Sequence, residues 1–489
     1  MKLIIKTLCF MTVFSCASIS QAEPWLDTRD QWLRADIEAL SAHGVINTPI
    51  TTWPLPWARI VKDIDEINFN KVPDGVKPAL MRVKRKARIE TARETRSELS
   101  LRAGNEYKVL RQFGDQRREK AEISSRTTGV TSSFAWNIEA TKTFDPVDRE
   151  EQRLDHSYVA AIWGNWILSA GAQERWYGPS WDSSLILSNN ARPIPALSIQ
   201  RNYADPFESE WLSWIGPWSL SAFAGQLEDR RFIPHAKLLG MSVSFKPFDS
   251  LEIGLRRTAQ WGGKGRPESL SSLIDLAIGR TNCDEVDSGC GDRLNSNEAG
   301  NQLAAVDFSW ELPTEASLGS IYGQLVGEDE AGFAPSRKFY QFGYKNHFNF
   351  SSLLLTTYLE YSDTENDHRR NLTYEHGIYQ TGYRTEGRSI GSTYDSDTQA
   401  ITLGLIASDI SGSRYSVSYS QVDLNNDNTG DKHSINNAAV SFNRVAFKYQ
   451  YPTEYGLLGV DIEFKDKIFD SFGYNQDRYN LGLSWTMEL

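Results

Sequence analysis

From Leu99 to its end the chain repeats one local pattern, apolar and polar residues alternating with a period of two over segments close to ten residues long. Met241, Val243 and Phe245 alternate with Ser242, Ser244 and Lys246, and Val306, Phe308, Trp310 and Leu312 with Asp307, Ser309 and Glu311. Leu353, Leu355, Leu359 and Tyr361 keep the same step, as do Tyr415, Val417 and Tyr419 against Ser416, Ser418 and Ser420. The last segment is the cleanest: Tyr479, Leu481, Leu483, Trp485, Met487 and Leu489 share one parity, and Asn480, Gly482, Ser484, Thr486 and Glu488 the other. This period puts alternate side chains on opposite faces of a strand. A soluble sandwich or a membrane barrel would satisfy it equally. After residue 22 no run of about twenty apolar residues occurs, so a spanning helix is excluded and a membrane role requires a barrel. Tight turns such as Gly164-Asn165 and 409–413 alternate with long polar loops at 262–301 and 423–432, and aromatics gather near strand ends, which favours the barrel. Nineteen segments between 98 and 489 qualify as strands. Single-chain bacterial barrels have an even count, so one at least must fail. The suspect is 195–203, which opens on Pro193 and Pro195; 373–383 is retained.

The first 97 residues read differently. Residues 1–22 carry Lys2 and Lys6, a mostly apolar run and Ser20-Gln21-Ala22, the pattern of a cleaved signal peptide. Residues 23–97 form a predicted bundle of three helices, placed on the periplasmic side of a barrel spanning 98–489. Thr28 with Gln31 reads as a capping box, followed by Leu33, Ile37 and Leu40 at helical spacing and by Gly44 as a stop. A second helix is expected near Pro56 to Ile64, and a third, basic one over Pro78 to Arg96 with Leu80, Val83 and Ala87 on one stripe. Those basic residues could meet anionic lipid, or form a solvated or barrel-docking face. Another short helix is indicated by Leu270, Leu273, Ile274 and Ala277 in the 262–301 loop. Loss of the signal also removes Cys9 and Cys16, leaving Cys283 and Cys290 to pair in an oxidising compartment. Two thiols without a nearby histidine do not make a zinc site. The net charge of −11, which becomes −13 without Lys2 and Lys6, argues against a nucleic-acid partner.

One stretch breaks the two-residue rhythm. Between Trp163 and Trp218 lie seven of the fifteen tryptophans, and Glu174-Arg175-Trp176-Tyr177-Gly178-Pro179-Ser180-Trp181-Asp182, continuing into Ser184-Leu185-Ile186-Leu187-Ser188, has neither helical nor strand period. This stretch resembles the signature of the Wzi family, outer-membrane lectins of capsule assembly. So does Glu252-Ile253-Gly254-Leu255-Arg256-Arg257-Thr258-Ala259-Gln260-Trp261 with Gly265-Arg266-Pro267, and the likeness extends from Trp32-Leu33-Arg34-Ala35-Asp36 to the last strand. The resemblance implies an outer-membrane, all-β transmembrane antiparallel barrel of about eighteen strands. It also implies attachment of capsular or related exopolysaccharide at the cell surface, a binding role without catalysis. The outer-membrane lipid is the other expected contact, a monomer is expected, and neither cofactor nor metal is called for.

Aromatic faces cover the apolar faces of pyranose rings, and charged side chains give the stronger hydrogen bonds to hydroxyls. Arg175, Trp176, Tyr177, Trp181 and Asp182 are therefore the candidate polysaccharide contacts. The same residues would also suit a packed loop, with Glu174 and Asp182 paired to Arg175 or Arg192, or an interfacial belt. Glu174 and Asp182 flanking Trp176 could suggest glycoside hydrolysis, but no catalytic motif accompanies them. A porin is the main alternative. The long insertions at 174–217 and 262–300 look suited to closing a pore, whereas a porin keeps an aqueous channel.

Overall fold

In a computed structural model, described for residues 24–489 apart from 93, 132, 279–300, 313–318, 332–333, 351–352, 367–371, 410, 429–432, 469 and 472–473, the chain closes into an antiparallel barrel. The strands run in chain order: β1 (Arg96–Gly104), β2 (Ala121–Val130), β3 (Phe134–Phe144), then β4 in two pieces (Gln152–Arg153 and Tyr158–Trp163) that both pair with β3. Next come β5 (Trp166–Ala172), β6 (Pro195–Arg201), β7 (Trp218–Gln226), β8 (Lys237–Phe248), β9 (Leu251–Trp261), β10 (Gln302–Glu311), β11 (Ser320–Ala331) and β12 (Ala334–Phe350). The wall is completed by β13 (Leu353–Asp363), β14 (Gln399–Asp409), β15 (Arg414–Leu424), β16 (Val440–Thr453), β17 (Gly456–Lys465) and β18 (Tyr479–Glu488). Closure is made by β18 against β1, with Gly482 opposite Gly104 and Glu488 opposite Glu98. The count is eighteen.

Two strand expectations change. The suspect 195–203 is a wall strand: Leu197 pairs with Ala170 of β5 on one side and Ala224 of β7 on the other. Pro195 does no harm because it is the first residue of β6, where its missing N–H costs no ladder bond. Segment 373–383 is the one that fails. It lies in the connection from β13 to β14, with Tyr374, Ile378, Tyr379 and Tyr383 buried, so its apolar residues serve the interior rather than a wall face.

Burial along the wall is inverted relative to a soluble protein. Leu483 is 57 % exposed and Asn480 only 2 %, and the same holds around the ring, where Met241, Val306, Leu359, Val417 and Leu481 face outward. Ser242, Asp307, Glu360, Ser418 and Asn480 face in. A hydrocarbon solvent outside accounts for this pattern. The two ends also differ. At one end β4 turns into β5 through Gly164, at φ +57°, and β8 into β9 through 249–250. There an exposed aromatic set of Phe134, Trp163, Trp211, Trp214, Phe248, Phe350 and Tyr455 forms an interfacial belt. Connections at the other end are mostly longer, the longest being 262–301 and 364–398, although 202–217 at the first end is also long.

The N-terminal helices close the short-turn end. α1 (Gln31–Ala42) begins at Asp30, whose carboxylate accepts from Trp32 N and Leu33 N, so the cap is Asp30 and not Thr28. Gln31 to Ser41 are all buried, because α1 enters the barrel. There Lys345 Nζ pairs with Glu38 at 2.9 Å and Trp32 Nε1 donates to Tyr415 O at 2.9 Å. α2 (Trp57–Glu66) lies where it was expected; α3 (Lys77–Glu90) is shorter at its C-terminal end, since Arg96 already starts β1. Leu80, Val83 and Ala87 are buried as the stripe predicts, while Arg82 docks on Asp36 of α1 at 2.6 Å. α4 (Leu270–Ile278) confirms the helix expected in the 262–301 loop. The Cys283–Cys290 disulfide and the signal peptide lie outside the described residues.

Candidate functional site

The stretch without a period is the heart of the lumen. Between β5 and β6, residues 173–194 turn inward and are buried almost throughout. Trp176 and Tyr177 form a two-residue antiparallel bridge with Thr52–Trp53, tying this plug to the N-terminal segment. Gly178 is at φ +145°, and a Cβ there would come within 2.8 Å of Gln324 Nε2, which explains a glycine where the plug meets the wall.

All five candidate sugar contacts are in this plug, and all are buried: Trp176 and Tyr177 at 0 %, Trp181 at 2 %, Asp182 at 3 % and Arg175 at 6 % exposure. The Trp176 indole donates to Ser180 O at 3.0 Å and meets the Phe113 ring edge-on at 5.5 Å. Phe113 also touches Trp53 and Trp181, and the Arg34 guanidinium of α1 lies 4.1 Å over Trp181 and 4.4 Å over Phe113. Trp181 stacks on Tyr358 of β13 at 5.9 Å. Asp182 accepts from Tyr394 Oη and Thr402 Oγ1, each at 2.8 Å, and from Gln112. Arg175 donates to Ser198 Oγ at 2.7 Å and covers Phe223 at 4.2 Å. Tyr177 Oη bonds Ser221 Oγ at 3.3 Å. The five come together as a packed unit, inaccessible to an external polymer in this structure.

Glu174 and Asp182 are each engaged by other partners. Glu174 accepts from Thr28 Oγ1 at 2.6 Å and faces Arg111 at 3.3 Å and Arg118 at 3.6 Å. Burial acts to raise its carboxyl, but the guanidiniums outweigh that and hold it below the usual carboxylate range. Arg118, buried beside Arg111 and Arg388, is pushed well below the usual guanidinium range. The expected partners differ: Arg192 pairs with Asp148 at 3.0 Å and Asp155 at 2.9 Å instead.

The wall residues that hold the plug escape sequence reasoning. Glu360 accepts from Trp181 N at 2.6 Å, Asp182 N at 2.8 Å and Tyr322 Oη at 2.7 Å. Gln324 donates to Tyr177 O at 2.8 Å and accepts from Leu185 N at 2.9 Å. Arg256 binds Asp307 through two nitrogens and also reaches Thr51 and Thr52. Above the plug the 364–398 connection adds Tyr383, whose Oη donates to Ile186 O at 2.9 Å, and Ser188 N donates to Ile390 O at 2.9 Å. A signal for this second layer was available. Tyr374, Ile378, Tyr379 and Tyr383 step by four, one and four, which no strand face does.

Similarity to known proteins agrees with this architecture. Residues 92–477 match the family model of capsule assembly protein Wzi. A Klebsiella pneumoniae protein described as an uncharacterized 55.8 kDa protein in the cps region is 32 % identical over 347 residues. That match covers 69 % of this chain and 65 % of the relative, so the chain spans just under two thirds of the relative's length. The solved structure of Wzi from Escherichia coli, an outer-membrane, carbohydrate-binding β-barrel involved in group 1 capsule assembly, superposes with a TM-score of 0.83 at 26 % identity. It covers 95 % of this chain and 99 % of that one. An eighteen-strand wall with inverted burial, a filled lumen and a family match over most of the chain lead to one conclusion: the protein is an outer-membrane β-barrel belonging to the Wzi family of capsule assembly proteins.

Proposed function

We propose that this protein holds capsular or related exopolysaccharide at the cell surface as a non-catalytic lectin, working alone in the outer membrane. The observation that carries the reading is the filled lumen: the plug, the 364–398 connection and α1 occupy the space that a channel would leave to water. Such a barrel offers a face, not a path. Outer-membrane barrels have short periplasmic turns and long external loops, so the long-loop end is the outward face and the bundle of 23–97 lies in the periplasm. Arg175, Trp176, Tyr177, Trp181 and Asp182 then support that face from below, and the polymer meets the rim above them. Exposed rim groups of suitable chemistry include Phe232 and the Arg230–Glu150 pair, joined at 3.0 Å. The buried Glu174 and Asp182, already engaged by arginines, hydroxyls and an amide, offer no free acid and base.

The test is titration of extracted polysaccharide onto the purified protein, with the polymer's reducing ends counted before and after. Binding without new reducing ends is expected. No binding would overturn the lectin reading, and released ends would restore the glycosidase. Combined substitution of Arg230→Ala and Phe232→Ala should weaken retention on cells at unchanged surface display; unaltered retention would move the binding face off this part of the rim.

A further inference from the structure

One connection at the short-turn end does not behave as a turn. Between β6 and β7 the chain takes residues 202–217, whereas β8 reaches β9 through 249–250 alone. Pro217 O accepts from Lys246 N at 2.9 Å. A Cβ on Gly216, at φ +67°, would lie 1.9 Å from Lys246 O, so only glycine lets the segment return flush against the end of β8. Phe207 stacks on Trp218 of β7 at 4.7 Å, and Trp214 meets Phe245 of β8 edge-on at 6.5 Å. Trp218 shares the parity of Leu220, and Phe245 that of Met241, on the lipid-facing side of the wall, while Ser219 and Ser244 face in. The connection is therefore laid over the outside of the barrel and not across its mouth.

Its apolar side has no protein cover. Trp211 is 76 % exposed and Trp214 62 %, beside Phe248 at 68 % on the next turn. Its start is tied to the bundle: Lys62 of α2 pairs with Asp205, and Arg59 Nε donates to Asn202 O at 3.2 Å. The other two charges of the segment, Glu208 and Glu210, have no ion-pair partner among the described residues. Indole rings gain most where the ring meets hydrocarbon and the N–H meets headgroups. A face continuous with the lipid-facing wall is covered by the lipid that covers the wall. We propose that residues 207–215 form a foot lying at the headgroup–acyl boundary of the leaflet at the short-turn end, where it holds net-neutral phospholipid and links that leaflet to α2. An ordinary belt side chain stands on a strand; here a whole connection extends the lipid contact beyond the wall. Glu208 and Glu210 set the headgroup preference, because one charge near a bilayer surface shifts lipid affinity by up to about fivefold. The foot is independent of polymer binding.

The test uses the mature full-length protein in vesicles of phosphatidylethanolamine and phosphatidylcholine, whose two leaflets are alike, so the outcome does not depend on which end faces the periplasm. A fluorophore is placed on one introduced thiol without reduction, with the wild-type chain labelled in parallel as the blank. Trp211→Cys and Trp214→Cys are made singly, so that the other ring remains, and Ser209→Cys carries the same test if either fails to assemble. Phe248→Cys on the wall and Lys71→Cys on the exposed side of the bundle are the references. A nitroxide high on the lipid acyl chain should quench the foot labels as it quenches the Phe248 label, and more than the Lys71 label. The same nitroxide carried by phosphatidylglycerol should be favoured less at the foot than when carried by phosphatidylethanolamine, by up to about fivefold per charge. Glu208→Gln with Glu210→Gln should erase that preference. Foot labels quenched no more than Lys71 would overturn the proposal. So would equal quenching from the two headgroups, or a cross-linked dimer that Trp211→Ser with Trp214→Ser dissolves, which would give this face to a second copy of the chain.

Discussion

At the scale of single residues, the interior works through groups that have nowhere else to go. Glu174 is the only carboxylate recorded within salt-bridge distance of Arg111 and Arg118 among the described residues, so Glu174→Gln strands two buried cations. Removing one member of a buried ion pair costs about 3 to 5 kcal/mol, and a marked fall in the temperature at which the folded gel band is lost is expected. The pH dependence has a definite sign. The folded-state carboxyl of Glu174 lies below its ordinary value of 4.5, so its contribution is present above that pH and is lost as pH falls through the lower, folded value. Wild-type stability should therefore decline in acid more steeply than that of Glu174→Gln; equal slopes would contradict the assignment. Trp176→Ala and Trp181→Ala should each cost about 3 to 5 kcal/mol as cavities in a packed core. They should leave polymer affinity unchanged in whatever protein assembles, and a selective loss of binding at normal stability would show that these rings touch sugar after all.

At the scale of elements, the plug is a loop that behaves as a core. Residues 173–194 are held by backbone bonds to Thr51, to the wall glutamine Gln324 and to Ile390, so the plug should resist protease in the intact barrel. The intact chain in a planar bilayer should carry little steady current. Replacing 179–190 by a short glycine-serine link should open a stable conductance if β5 and β6 still pair. Large current from the intact chain would favour a channel. For the 262–301 connection, free-thiol labelling of unreduced, denatured protein should find neither Cys283 nor Cys290. Their ring would contribute about 2 to 3 kcal/mol, and two reactive thiols would refute the pairing.

At the scale of the whole molecule, the eighteen-strand wall stands in two solvents of its own making, hydrocarbon outside and packed polar groups inside. The mature protein should need detergent, give a β-dominated circular dichroism spectrum and show heat-modifiable gel mobility. A protein soluble without detergent and mainly helical would end the membrane reading. The N-terminal bundle belongs to this scale as well. Its α1 is buried on every side and its Glu38 is paired with Lys345 of β12, so a chain lacking 23–90 should assemble poorly, read as loss of the folded band.

Local alternation determined the barrel wall, since a strand's two faces follow from a two-residue period whatever lies around them. The last strand was legible for that reason, and α2 and α4 from the helical spacing of a few neighbouring residues each. Which strand candidate would fail was not. Segment 195–203 carries the prolines, and 373–383 only its aromatic spacing, so propensity pointed to the wrong one. The difference lies in partners 27 residues away on either side in the chain, Ala170 and Ala224 for Leu197. The candidate site shows the same division. Its density of tryptophan, glycine and charge marked 171–217 as a specially packed segment, but whether those rings face sugar or the protein's own interior depends on Phe113, Arg34, Tyr358 and Glu360. They come from three separate parts of the chain, Tyr358 and Glu360 sharing β13. A residue's type sets what it can bind, and only the closed barrel decided that the nearest thing to bind was the rest of the protein.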